Sequence, residues 1–362
     1  MTILTIELLT FLELKTLEAL PLSAHALLKA SVLGDELSAK AFGITPVNVE
    51  EVIRDRAHLF HSFYPDLIQF CQTKGIKQHA ILETCWNLWL PLAIRLASAR
   101  QNLNRPLIQG ILGGQGTGKT TLAAILTLIL KHLGYRTLSL SLDDLYKTYT
   151  ERLEVQAQDP RLIWRGPPGT HDIELGIKVL DQLRAGNGNE SNPKLIEVPR
   201  FDKSAWGGAG DRTTPEIVEN VDIVLFEGWF VGVCPIDPSV FDNPPAPILT
   251  AADKKFARDM NASLHDYLPL WERLDRLIVL YPTDYRLSQQ WRRQAEQQMI
   301  SAGLSGMTDD TVDRFVEYFW QAVHPELFIA PMMQNSQSVD LAIEIANSRS
   351  TSLVYRPGDR LP

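Results

Sequence analysis

The chain has 362 residues, 45 % of them hydrophobic, and a formal net charge of −8. That is more chain than one typical domain needs, with apolar content for a sizeable core, so a large α/β domain plus an extension is expected. An acidic chain has no global basic footprint, which argues against nucleic acid as a partner and obliges any phosphate-handling site to make its own local positive field.

The three cysteines, Cys71, Cys85 and Cys234, are scattered. Such spacing suggests neither a disulfide framework nor a metal site, and fits reduced thiols in a cytoplasmic protein. The apolar N-terminus is interrupted by Glu7, Glu13, Lys15 and Glu18. It lacks the basic leader and unbroken apolar core of a signal peptide, and it is not the acid-poor segment of a transit peptide. No stretch approaches the ~18 apolar residues of a membrane span, so no membrane association is expected.

Residues 1–104 read as helical. Between Leu67 and Leu96, apolar residues including Trp86, Leu88, Trp89 and Ile94 recur at helical spacing. No chemical motif falls there, and a helical region packed on a catalytic core is expected. From residue 105 to 362 the texture is that of an α/β domain. Apolar runs at Leu107–Leu112, Thr137–Leu142, Leu195–Val198, Ile223–Phe226 and Leu277–Leu280 alternate with helix-like stretches. This pattern predicts a parallel sheet covered by helices. Ligands of such sheets sit beyond the carboxyl ends of the strands, which singles out Asp143, Arg200, Glu227 and Pro282. Segments 185–193 and 235–247 read as surface loops, and Leu353–Tyr355 as an edge strand.

The strongest signal is Gly113-Gly114-Gln115-Gly116-Thr117-Gly118-Lys119-Thr120, a full G-x-x-x-x-G-K-[ST] between an apolar strand and a helical run. Glycines let the backbone turn its N–H groups toward phosphate oxygens, and the helix N-terminus adds positive potential. Lys119 is expected at the β- and γ-phosphates and the Thr120 hydroxyl at Mg2+; Thr121 follows in the helix. ATP and Mg2+ are therefore the expected cofactors. Asp143 and Asp144 close the second strand, and Glu227 closes Val221–Phe226 as a Walker B acid does in outline. Asp143 and Glu227 are both candidates for metal holding, and Asp143 for general base. Asp144 reads as a helix cap.

Three polar segments remain. Arg165 to Asp172 is stiffened by Pro167 and Pro168, with Thr170 or Asp172 as a helix cap. Arg200 to Arg212 carries Lys203, Asp211 and Arg212 among glycines. The polar helix over Asp284–Ile300 carries Arg286, Arg292 and Arg293. Arginines on such a helix are expected either on a solvated face or closing over a transferring phosphoryl group.

The stretches GGQGTGKTT, SLDDLY, RGPPGTHD, PRFDKSAWGGAGDR, VLFEGW, WRRQAEQQM and GMTDDTVDRFVEYF together resemble the plant- and cyanobacterial-type D-glycerate 3-kinases. That family lies in the P-loop kinase superfamily with phosphoribulokinase, uridine kinase and pantothenate kinase. The resemblance runs from about Gly113 to Phe319 and departs from the pattern at Leu145 and Lys147, and again after Tyr318. It implies a nucleoside-kinase-like parallel-sheet core with a helical N-terminal extension and a helical lid near 284–302. It implies Asp143 as general base, His171 and Asp172 on an acceptor-side loop, Lys203, Asp211 and Arg212 in a substrate segment, and Arg292 and Arg293 in the lid. An acidic acceptor needs a cation for its carboxylate, for which Arg212, Arg165 and Lys203 are available, Arg212 first because its planar fork suits a carboxylate. The activity so implied is transfer of phosphate from ATP to D-glycerate, giving 3-phosphoglycerate. The alternatives are a related kinase of a nucleoside or of pantothenate, and a catalytically silent ATP-binding protein.

Overall fold

In a computed structural model, the described residues are 3–14, 21–77, 81–186, 188–189, 192–301, 303 and 306–360. Six helices come first: α1 (Ile3–Leu14), α2 (Leu22–Leu33), α3 (Glu36–Ala41), α4 (Val49–Lys74), α5 (Leu82–Thr84) and α6 (Leu90–Gln101). A π-helical turn at Cys85–Trp89 joins the last two. Then follow β1 (Leu107–Gly113), α7 (Lys119–His132), β2 (Thr137–Ser141), α8 (Tyr149–Gln158) and α9 (Ile173–Arg184). The middle of the chain holds β3 (Gly188–Asn189), β4 (Asn192–Pro193), β5 (Ile196–Asp202), β6 (Asp211–Val218) and β7 (Ile223–Gly228). Last come α10 (Ala251–Ser263), α11 (Leu268–Trp271), β8 (Arg276–Pro282), α12 (Leu287–Ser301), α13 (Asp309–Ala322), α14 (Pro325–Met332), β9 (Leu341–Ile345) and β10 (Thr351–Tyr355).

The central sheet has the order β10-β9-β8-β1-β7-β2, parallel except for β10 at one edge. The two middle strands β1 and β7 are buried along their whole length, which is why they read as largely apolar runs, with the buried Gln109 in β1 and Glu227 near the end of β7 as the polar members. Alternation divides each strand between two cores. Leu107, Ile111, Ile223, Leu225, Ile278 and Leu280 face a core shared with α7 and the N-terminal helices. Ile108, Leu112, Val224, Phe226 and Val279 face the opposite core, with α9 and α11. The first hundred residues therefore cover one face of the sheet, with Phe60, Phe63 and Trp86 fully buried among them.

One expected strand lies elsewhere. The run Leu195–Val198 is not part of the parallel sheet; β5 pairs antiparallel with β6 in a separate hairpin. Its burial alternates, with Glu197 exposed between buried Ile196 and Val198, as suits a ribbon covered on one face only. Arg200 consequently sits within the hairpin, not at a sheet end, and pairs with Asp144 and Glu216. Of the segment read as a loop at 185–193, residues 187, 190 and 191 lie outside the described residues, and β3 pairs with β4 in the rest. The edge strand at Leu353–Tyr355 is present as part of β10.

Candidate active site

The phosphate cradle follows from backbone geometry. β1 delivers the chain to Gly113, and α7 starts at Lys119. Between them Gly116 and Gly118 take φ of 77° and 88°, a region that L side chains disfavour. A Cβ on Gly116 would also stand 2.8 Å from Cβ of Trp291. Thr117 is buried and its hydroxyl donates to the Gly114 carbonyl at 2.8 Å. The Lys119 ammonium folds back over the loop and donates to the same carbonyl at 3.0 Å. Burial lowers the Lys119 pKa, against the opposing pull of Glu227 and Asp143, and the charge of Lys203 adds to the lowering. Gln115 buries its carbonyl oxygen with no partner among the described residues, while Thr121 is exposed on the first turn of α7.

Two carboxylates flank the cradle from neighbouring strand ends. Glu227, buried near the end of β7, accepts a 3.0 Å hydrogen bond from the Thr120 hydroxyl. Asp143 follows β2 in a single 3₁₀ turn, Leu142–Leu145. Ser141 caps that turn, its hydroxyl accepting from Asp143 N, while the Asp144 carboxylate accepts from Ser141 N. Asp144 is thus the returning half of a capping box, not the cap residue. This arrangement fixes the turn and leaves the Asp143 side chain free to pair. It meets Lys203 at 2.6 Å. Burial pushes the Asp143 carboxyl up, but the Lys203 ammonium together with the Tyr146 hydroxyl outweighs it, and the net displacement is downward.

The acceptor-side loop reaches this point through an isolated bridge between Tyr146 and His171, with Lys147 N donating to Thr170 O and Asp172 N to Leu145 O. The His171 ring stacks on Tyr146 at 4.6 Å, and its Nδ1 lies 2.8 Å from the Tyr267 hydroxyl. Burial lowers its pKa to about 3, although Asp143 opposes the shift, so the imidazole is neutral and acts as wall, not as cation. Asp172 caps α9 by accepting from Leu175 N and also binds Arg212 at 2.7 Å. The Arg212 Nε donates to Tyr146 O as well. Arg165 donates to the Gly208 and Ala209 carbonyls. Asp211 accepts from Tyr149 N and from the Trp206 indole. The polar loop Lys203–Gly210 is thereby closed over the strand ends.

Lys119, Thr120, Glu227, Asp143 and Lys203 converge at the ends of β1, β2 and β7. Arg292 and Arg293 do not join them. Arg292 pairs with Glu296 at 2.5 Å and lies over the Phe315 ring; Arg293 pairs with Asp313 on α13. What α12 presents to the phosphate loop is Trp291, 1 % exposed and packed on Gly116, with Arg349 over its far side. Sequence reasoning passed over Trp291, Arg152 and Tyr267. Arg152 ties α8 to the Ala209 and Gly210 carbonyls, and Tyr267 also accepts from Gly169 N. Only Trp291 had a signal, since it stands beside Arg292 in the WRRQAEQQM stretch.

No family model matches the chain. It is 32 % identical over 259 residues to D-glycerate 3-kinase, chloroplastic, of Arabidopsis thaliana, covering 68 % of this chain but only 54 % of that protein. With the probable ATP-dependent kinase TDA10 of Saccharomyces cerevisiae the identity is 34 %, over 59 % of this chain and 75 % of the relative. The solved D-glycerate 3-kinase from Cryptococcus neoformans superposes with a TM-score of 0.64 at 27 % identity, over 73 % of this chain and 96 % of that one. The chain belongs to the P-loop kinase family that contains the D-glycerate 3-kinases.

Proposed function

We propose that this chain transfers the γ-phosphate of ATP to D-glycerate, giving 3-phosphoglycerate and ADP. The observation that carries the reading is the Lys203–Asp143 pair beside the phosphate loop. The acceptor of a glycerate kinase brings a carboxylate as well as a hydroxyl, and the pair offers a partner for each.

The loop N–H groups and Lys119 hold the ATP phosphates. The residues fit a magnesium ion: Thr120 presents a hydroxyl and Glu227 a carboxylate on the same spot, few protein ligands being usual where phosphates supply the rest. Bound there, Mg2+ would neutralise charge on the phosphate oxygens. Glycerate entering the site draws the exposed Lys203 ammonium to its own carboxylate. Asp143, released from its ion pair, becomes more basic and faces the acceptor hydroxyl. It takes the hydroxyl proton as the acceptor oxygen bonds to the γ-phosphorus. The bond from that phosphorus to the bridging oxygen breaks, its electron pair leaving with ADP. Arg165, with no carboxylate partner among the described residues, is a second cation for the acceptor, whereas Arg212 is already paired with Asp172. His171, Asp172 and Asp211 hold the wall and loop in place. In this reading α12 is the lid, seated through Trp291, and Arg292 and Arg293 reach the transferring group only when their pairs with Glu296 and Asp313 open.

Incubation with ATP, Mg2+ and a panel of hydroxy acids, nucleosides and pantothenate, with products identified by mass, tests this. Phosphoglycerate as the main product is expected; turnover of nucleosides or pantothenate alone would replace glycerate as acceptor.

A further inference from the structure

At the opposite end of the sheet from the phosphate loop lies a cavity of about 700 Å³, between α3, α4 and α6 on one side and the starts of β8 and β9 on the other. Its size is in the range of small-molecule sites. In a chain of net charge −8 its lining is cationic: Lys40, Arg56, Arg95, Arg276 and Arg356 against the carboxylates Asp55, Asp340 and Asp359.

Two of those carboxylates are engaged elsewhere. Asp359 pairs with Lys40 at 2.7 Å, and Asp340 accepts from Leu277 N at 2.8 Å. Among the described residues none of Arg56, Arg95, Arg276 or Arg356 makes an ion pair. Arg95 and Arg356 both donate to a single carbonyl, that of Ala41. Arg95 also donates to Asp340 O. Burial, with the like charges of Arg356 and Arg276 nearby, lowers the Arg95 pKa to about 10 against the opposing pull of Asp340. Arg56 is 2 % exposed, donates to Trp86 O, lies over the Trp86 ring, and leaves its Nε without a hydrogen-bond partner among the described residues. A buried, unpaired guanidinium is costly, and three more gathered around one cavity repel each other unless an anion joins them.

We infer that this cavity is a binding site for a small phosphomonoester, held by Arg95, Arg276 and Arg356 and separate from the catalytic centre. The five cations exceed the three carboxylates by two charges, and a phosphomonoester carries about −1.5 to −2 near neutral pH. Arginine forks suit its planar oxygen faces. Along β8, from Arg276 at the cavity to Pro282 beside the phosphate loop, the two sites stand about 20 Å apart.

The test uses the full chain with a non-hydrolysable ATP analogue saturating the phosphate loop, and ribose 5-phosphate as probe in calorimetry. Saturable binding is expected, weakened by about 10-fold or more in Arg276→Gln and in Arg356→Gln, with kinase turnover in the absence of the probe unchanged. Hydrogen exchange on the unmutated chain provides a readout independent of any variant. Protection on adding the probe is expected at residues 40–44 and 336–340. Absence of saturable binding, binding that both substitutions leave intact, or protection confined to the phosphate loop would each overturn the assignment.

Discussion

Lys203, on the loop that joins the two strands of the hairpin, reaches across to Asp143 at the end of β2 and pairs with it at 2.6 Å. Lys203 is 62 % exposed and Asp143 28 %, so the cation is the partner free to move. In the proposed mechanism the pair holds Asp143 in a low-pKa state until the acceptor's carboxylate takes the lysine away. Lys203→Met should therefore raise the KM for glycerate and spare that for ATP. Since the Lys203 charge lowers the Asp143 pKa, removing it raises that pKa. The acid limb of the kcat/KM–pH profile should move to higher pH. An unshifted limb would detach Lys203 from the base.

Lys119→Ala removes a cation from the transferring phosphoryl group and should lower kcat by ~10²-fold or more. Asp143→Asn keeps the shape but cannot accept the proton, so a fall of ~10²–10⁴-fold is expected, with ATP affinity little changed. Loss of ATP binding in the asparagine variant, with chemistry intact, would put Asp143 on the metal instead.

Arg212 and Asp172 join β6 to the start of α9. Arg212→Ala and Asp172→Ala should give similar kinetic defects, and the double variant little more than either. A coupling energy of about 0.5–3 kcal/mol from the cycle is expected for residues in direct contact. Additive defects would show that Arg212 acts on the acceptor independently of Asp172.

Gly116 is the point where α12 rests on the phosphate loop. Gly116→Ala meets both the positive φ and the Trp291 contact, so nucleotide binding, followed by fluorescent-analogue titration, should be lost. Adding Trp291→Gly, which takes away the Cβ that the new methyl would meet at 2.8 Å as well as the ring, removes only the contact, and recovery should be partial. Full recovery would mean that the φ does not matter.

His171 titrates near 3 in the folded chain because it is buried, against 6.5 unfolded. Below about 6.5 the unfolded chain binds the extra proton, so this histidine's contribution is fully present above that pH and is lost progressively as pH falls toward 3. Urea midpoints of His171→Gln between pH 7 and 4 should fall less steeply than those of the unaltered chain; parallel slopes would contradict the buried neutral state.

The phosphate loop and Glu227 were legible because each follows a largely apolar strand buried on both faces, and Asp143 because it follows an edge strand in which Leu alternates with Thr or Ser. The hairpin misled because Leu195–Val198, three apolar residues around Glu197, is too short for a strand covered on one side to be told from a strand of the parallel sheet. Pairing was illegible. Arg212 and Lys203 look alike in sequence, yet one is tied to Asp172 and the other stands on Asp143, a distinction set by how β6 and α9 meet. Arg292 and Arg293 could not be placed because their partners Glu296 and Asp313 depend on how α13 docks. The cationic cavity draws on residues from 40 to 359 and has no local motif at all.

The most direct test of the glycerate reading is the ratio of kcat/KM for D-glycerate to that for glycerol, which has the hydroxyls but no charge. A hydrogen bond to a charged group contributes about 1.5–3 kcal/mol, so a ratio of ~10 or more in favour of glycerate is predicted. Comparable use of glycerol would mean that no cation of this site receives a carboxylate, and that the acceptor is neutral.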